Sequence, residues 1–218
     1  MCTVFRYCDR MTVYIPTIET PFRPFPDDRW SVDPVSGSIR VSSIPGTDIF
    51  TDPGGNDGGQ VTSSTLHNAA TLLTDAPAGD FQLSARVRVR FAGTFDAGVL
   101  FLRHDRETWA KLCFEFSPRG QGMIVSVVNN RVSDDANAFT VDGDHVHLRV
   151  SRKGTVFAFH ASLDGERWEL IRAFSLPSAH KPLEVGFEAQ SPQSEGCDVV
   201  FDEPRLEGRT ISDFRDES

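Results

Sequence analysis

No apolar run in this chain approaches the roughly 18–20 residues that a membrane-spanning helix needs, so no segment reads as crossing a bilayer. Basic charge is scarce: 22 lysines and arginines face 31 aspartates and glutamates, for a net charge of -9. A polyanion binder needs a local basic excess, so nucleic acid is not an expected partner. Cysteine is sparse as well. Cys2, Cys8, Cys113 and Cys197 form neither a CxxC pair nor a zinc spacing, which points to free thiols in a reducing, cytoplasmic setting. Helical periodicity is also missing, since no stretch sustains apolar residues at i, i+3 and i+4. Residues 1–10 lack the apolar core of a secretory leader, and with Met11 after them they read as a dispensable extension.

What the chain has instead is alternation with period two. In Trp109–Phe116 one face carries Ala110, Leu112, Phe114 and Phe116, and the other Trp109, Lys111, Cys113 and Glu115. Side chains alternate across a strand, so this is a central β-strand with its apolar face toward a core. Gly98–His104 is apolar almost throughout, as for a strand covered on both sides. Further runs at Ser38–Ser42, Asp80–Phe91, Met123–Val128, His145–Ser151, Val156–Ser162, Trp168–Phe174, Leu183–Gln190 and Asp198–Phe201 are separated by turn residues such as Asp164-Gly165. Prolines at 16, 21, 24 and 26 exclude helix and central strand between residues 14 and 30; that segment lies extended over the domain, with Trp30 as a buried anchor. The spacing predicts an all-β fold, a two-sheet antiparallel sandwich with little helix. One domain at 28–207 follows an N-terminal extension and proline-rich segment at 1–27 and precedes a polar tail at 208–218.

Parity also says which side chains face away from the core. Beside Trp109, Lys111 and Glu115, it turns His145, His147 and Arg149 outward, then His160 and Ser162, then Glu184, Gly186, Glu188 and Gln190. Aromatic rings flanked by charged and amide groups suit sugars, which offer apolar ring faces and hydroxyls. The expected ligand is therefore a small molecule or oligosaccharide in a concave groove. Trp109, Lys111, His147, Arg149, Gln190 and Asp48 are candidate binding residues. If the groove is also catalytic, Glu115 and Glu188 form the acid/base couple, with His160 or His147 as an alternative base. The alternative is a non-catalytic regulatory or protein-interaction module, because fold does not fix function. No cofactor is expected. His145, His147 and His160 have no third metal ligand fixed by spacing. The Asp48–Asp57 loop carries oxygen donors for calcium but no EF-hand pattern, so it reads as a plain loop.

Several short motifs occur in one order: Thr47-Asp48-Ile49-Phe50, Gly79-Asp80-Phe81, Asp96-Ala97-Gly98, Trp109-Ala110-Lys111 with Glu115, Ser133-Asp134, Ser162-Leu163-Asp164-Gly165 with Trp168, and Ser191-Pro192. Over roughly residues 28–207 this set resembles the domain of unknown function labelled regulation-of-enolase protein 1-like, a relative of the concanavalin A-like lectins and glucanases. The resemblance implies a two-sheet jelly roll with a concave face and carries no settled activity. The chain departs from it at Ile49-Phe50, where Phe-Trp is common, and at Asp96-Ala97, where a glutamine often intervenes. Related glucanases use a Glu-x-Asp-x-Glu strand; here Glu184 and Glu188 are kept, with Gly186 between them.

Overall fold

The computed structural model describes residues 11–54, 64–177 and 181–215. The chain opens with β1 (Arg23–Phe25), β2 (Trp30–Val32), β3 (Ile39–Ser42), β4 (Ile49–Phe50), β5 (Leu66–His67) and β6 (Ala70–Asp75). Longer strands follow: β7 (Phe81–Arg90), β8 (Ala97–Arg103), β9 (Thr108–Phe116), β10 (Gly122–Asn130) and β11 (Val132–Val141). The last are β12 (His145–Lys153), β13 (Val156–Ser162), β14 (Glu169–Phe174), β15 (Glu184–Gln190) and β16 (Asp198–Glu207). Helix among the described residues amounts to a 3₁₀ turn at Asp27–Arg29, and no helix there is long and apolar enough to cross a membrane.

Two seven-stranded sheets pack face to face. The first runs β1-β6-β15-β8-β9-β10-β11 and the second β14-β13-β12-β7-β16-β3-β2, with antiparallel neighbours throughout. This is the jelly-roll sandwich that the alternation predicts. Ala110, Leu112 and Phe114 of β9 meet Val146, Leu148 and Val150 of β12 and Phe157 and Phe159 of β13 in one core cluster. Val185 and Phe187 of β15 join it, and the Phe187 ring lies 4.8 Å from that of Phe201.

The segment before residue 28 is part of this packing. Ile15, Ile18 and Phe22 are buried in the core, and β1 extends the first sheet at its edge, where proline's missing N–H does no harm. Trp30 is buried as expected. In the tail, Ile211 is buried and Thr210 Oγ1 donates to Asp80. Alternation passes over β11, because Ser133, Asp134, Asp135 and Asn137 make this mostly exposed edge strand look like a loop.

The two outer faces differ. Over the first sheet, β4 pairs with β5 and covers the surface. Ile49 and Ala69 pack with Val99, Phe101, Trp109, Cys113, Val125 and Val127 in a second, smaller apolar cluster. Strand β8 is therefore covered on both sides, as its composition requires.

Candidate functional site

Register fixes which side chains share the roofed face. Across β8, Trp109 aligns with Glu184 through Arg103, Lys111 with Gly186 through Phe101, Cys113 with Glu188 through Val99, and Glu115 with Gln190 through Ala97. All are out of phase with the core-facing residues, so they form four rows on one outer surface.

Lys111 lies at the centre. Its Nζ donates to Asp48 Oδ1 and to Gln190 Oε1, both at 2.8 Å, and Gln190 Nε2 donates to the Phe95 carbonyl at 3.1 Å. Burial opposes charging the Lys111 amine, yet Asp48 and Glu188 outweigh it and hold its pKa above the ordinary lysine value. Glu188 has no solvent exposure, and neither carboxylate oxygen meets a hydrogen-bond partner among the described residues. Burial pushes its pKa up to about 8 despite the Lys111 charge. The same cause takes half-buried Glu115 to about 8, with Asp135, Asp48 and Glu188 adding repulsion. Asp135 is raised as well, first by burial.

Residues 48–50 divide this face into two hollows. Asp48 and Phe50 turn to one side, where they enclose about 120 Å³ with Lys111, Glu115, Asp135 and Gln190. Ile49 turns to the other, where about 590 Å³ opens over Phe101 and Trp109 beneath His67, Arg103, Arg106 and Glu184. A neighbouring hollow of about 480 Å³ shares Ile49, His67, Arg103 and Glu184 and extends to Arg23 and Thr71. Glu184 holds Arg103 at 2.8 Å and Arg23 at 2.9 Å. Trp109 is fully buried on the floor, with His67 edge-on at 6.5 Å, and its indole N–H has no hydrogen-bond partner among the described residues. Burial, then Arg106, lowers the His67 pKa, which leaves the ring neutral.

The structure thus brings together Asp48, Trp109, Lys111, Glu115, Glu188 and Gln190. Trp109, however, lies fully buried beneath the hollow rather than standing as an open platform. His147, Arg149 and His160 are not with them: β12 and β13 belong to the second sheet, and these side chains face outward on the far side of the sandwich. There the Arg149 guanidinium lies 4.3 Å from the Trp168 ring centroid, and His147 meets the same ring edge-on. His160 is fully buried, its Nε2–H donating to the Phe214 carbonyl at 2.8 Å. Neither histidine can act as a base for Glu115 or Glu188. Parity assigned each residue's face correctly; it does not say which sheet a strand joins.

Reading the sequence did not single out Arg103, His67, Arg106 or Asp135 for this surface. Arg103 was accessible, because it closes the outward series Ala97, Val99, Phe101 along β8. Asp135 sits on the polar edge strand that reads as a loop. Of the 48–57 loop, Asp48 is engaged by Lys111, whereas Asp57 lies outside the described residues. No described group of three or more His, Cys, Asp or Glu side chains is arranged to hold a metal ion.

Gly186 explains the departure from the glucanase strand motif. A Cβ there would stand 2.1 Å from the Leu72 carbonyl oxygen, with φ at +157°. An aspartate cannot occupy this position without moving the backbone.

Over residues 26–208 the chain matches the family described as "Protein of unknown function (DUF1349)". It belongs to that family. A functionally unknown protein from Saccharomyces cerevisiae is similar in structure to this DUF1349 chain: 25% identity, TM-score 0.68, covering 82% of this chain and 92% of that one. The GH43 protein BlXynB from Bacillus licheniformis superposes with TM-score 0.68 at 13% identity, covering 86% of this chain and 37% of its own. A xylan beta-1,4-xylosidase from Bacillus halodurans C-125 does so with TM-score 0.63 at 12% identity, covering 82% and 34%. The DUF1349 chain spans only about a third of those two proteins, and at such identity the likeness is one of fold alone. No curated protein matches it in sequence.

Proposed function

We propose that this DUF1349 protein binds carbohydrate on the roofed face of its first sheet, in the hollow over Trp109 and its continuation past Arg103. The observation that carries this reading is the floor of that hollow. Ile49, Phe101 and Trp109 form an apolar layer just beneath the hollow, Leu66 stands half-buried in its wall, and the buried indole N–H of Trp109 has no protein acceptor among the described residues. A buried donor of this kind calls for an acceptor from outside, and a sugar hydroxyl supplies one. Arg103, Glu184, His67 and Arg106 at the rim provide donors and acceptors for the remaining hydroxyls. The volume of about 590 Å³ falls within the range of small-ligand sites, roughly 300–1,000 Å³. The fold shared with xylan-active proteins supports the reading at the level of architecture.

Binding without hydrolysis is the better-supported form. Glu115 and Glu188 stand two strands apart and two residues out of line, which at standard strand spacings separates their Cα atoms by roughly 12 Å. A glycosidase needs both of its carboxyls open to the scissile bond. Glu188 is also sealed beneath the Lys111–Asp48 bridge, away from any glycosidic oxygen.

The test is a titration of xylo- and gluco-oligosaccharides followed by intrinsic fluorescence. The expected result is a saturable change that disappears with Trp109, together with binding by calorimetry that weakens in Arg103→Ala and in Trp109→Phe, which keeps an aromatic floor but loses the N–H. A protein-interaction module would give no saturable response to any oligosaccharide, and that outcome overturns the reading.

A further inference from the structure

The wall of the larger hollow carries a positive charge that no described residue meets. Each of its carboxylates is engaged. Glu184 accepts from Arg23 Nη2 at 2.9 Å and from Arg103 Nε and Nη2 at 3.0 and 2.8 Å, three of the roughly four hydrogen bonds a carboxylate can take. Asp105 Oδ1 accepts the backbone N–H groups of Glu107 and Thr108, and Oδ2 pairs with Lys181. Glu107, next in the turn, acts on Lys181 and is not part of the wall. The wall histidines, His67 and His104, offer no negative charge. Arg106 is left over. It lines the hollow, adds to burial in lowering the His67 pKa, and its side chain has neither an ion pair nor a hydrogen bond among the described residues. The turn that carries it is pinned: His104 N–H donates to the Thr108 carbonyl, and the Glu107 carbonyl accepts from Arg131 N–H at 2.8 Å and Asn129 Nδ2 at 2.7 Å. A lone surface arginine marks nothing. This one shares its hollow with a second unmet donor, the fully buried indole N–H of Trp109.

We propose that the carbohydrate held in this hollow is an acidic sugar, its carboxylate or phosphate meeting the Arg106 guanidinium. The proposal rests on the carbohydrate reading and narrows it to one class of ligand. A neutral sugar brings hydroxyls that must donate as well as accept, and it leaves the guanidinium charge to water. An ionised carboxylate or phosphate accepts without needing an acceptor in return. Its bonds to a guanidinium are charge-assisted, roughly twice as strong as neutral ones, and bidentate where the fork is free. A plain anion would satisfy Arg106 equally well, but it would make no use of the apolar layer of Ile49, Phe101 and Trp109 beneath the same hollow. The volume of about 590 Å³ has room for a sugar ring together with its acidic group. In the neighbouring hollow Arg23 and Arg103 are already held by Asp75 and Glu184, so the acidic group belongs at the Arg106 end.

The experiment is calorimetry on the full chain at pH 7 and low salt with methyl glucuronide, methyl glucoside, glucose 6-phosphate and acetate. The glucuronide and the glucoside differ only in bearing a carboxylate or a hydroxymethyl group. At least one of the two acidic sugars is expected to bind about tenfold more tightly than the glucoside, and acetate far more weakly than either. Preference for the glucuronide identifies a uronic acid as the ligand; preference for glucose 6-phosphate identifies a sugar phosphate. Arg106→Gln should bring the ratio of acidic to neutral sugar down to about one while the melting temperature holds. Arg106→Lys, which keeps the charge, should retain part of the preference, and added salt should shrink it. Acidic and neutral sugars binding equally, or a preference that survives Arg106→Gln, overturns this proposal and leaves the carbohydrate reading standing. Acetate binding as tightly as the acidic sugars overturns both, and so does no binding of any of the four.

Discussion

The outer face of the first sheet and the β7 part of the second sheet's outer face are built from the same kind of alternating strand, and they meet opposite fates. On the second sheet Arg86 and Arg88 of β7 stand partly exposed, paired with the exposed Asp144 and Glu203 and the more buried Asp202. On the first, Lys111, Glu188 and Gln190 are sealed beneath residues 47–50, and Trp109 beside them is fully buried. Period-two patterning is identical in both. The difference comes from one short strand pair, β4–β5, laid over the first face. A charge beneath that roof acts as a core group; the same charge on the open face is a surface group. Substitutions on the two faces should therefore differ in cost by several-fold.

The core provides the reference. Phe114 is fully buried, edge-on to Phe91 at 5.0 Å, and Phe114→Ala should destabilise the fold by about 3–5 kcal/mol in urea unfolding. If the roofed face behaves as core, Lys111→Met should approach that cost, at about 3 kcal/mol, because the Asp48 carboxylate loses its buried partner. Protonation of Glu188 limits the damage on its side of the bridge. A loss below about 1 kcal/mol, the range of exposed pairs, would mean that residues 47–50 do not seal the face in solution.

Glu188 sharpens the comparison through pH. Its native pKa of about 8 lies above the ordinary glutamate value of 4.5, so between those pH values the folded protein holds a proton that the unfolded chain has lost. Stability therefore falls as pH rises from about 4.5 to 8, and the loss persists above. Glu188→Gln should match the wild type at pH 4 and exceed it by about 2–4 kcal/mol at pH 9. Glu115 shifts in the same direction, so the variant keeps part of the slope. Thermal melts across this range decide the matter. A variant less stable than wild type at pH 9 would show that Glu188 has a donor in solution and is not an orphaned acid.

These contrasts also mark how far the sequence could be read. Facing was legible: the series Ala110, Leu112, Phe114 and its counterparts on β12, β13 and β15 enter the core as alternation requires. Sheet membership was not. His147 and His160 carry the same outward parity as Lys111, yet topology puts them across the sandwich, because pairing between distant strands leaves no local trace. Roofing was not legible either. Lys111 looks like a surface lysine until Asp48, 63 residues earlier, closes over it. Asp135 was hidden for another reason: an exposed edge strand buries too little to show a period. Gly186 is the reverse case, a visible departure from a motif whose cause, the Leu72 carbonyl, appears only in three dimensions.

The open face should give the smallest effect. Arg88 lies 3.6 Å from Asp144 and 3.5 Å from Asp202, with its side chain 42% exposed. Water screens both contacts, and the neighbouring Arg86 also reaches Asp202, at 3.1 Å. Removing Arg88 therefore leaves Asp202 with a partner and Asp144 in solvent. Arg88→Ala should cost at most about 1 kcal/mol, and raising the salt concentration should shrink that difference further. Urea unfolding at low and at high salt measures both quantities. A cost near that of Lys111→Met, insensitive to salt, would mean that the β7 part of the second sheet's outer face is covered as well, as the part around His160 is, and the asymmetry between the two regions would fail as the explanation for where the buried charge sits.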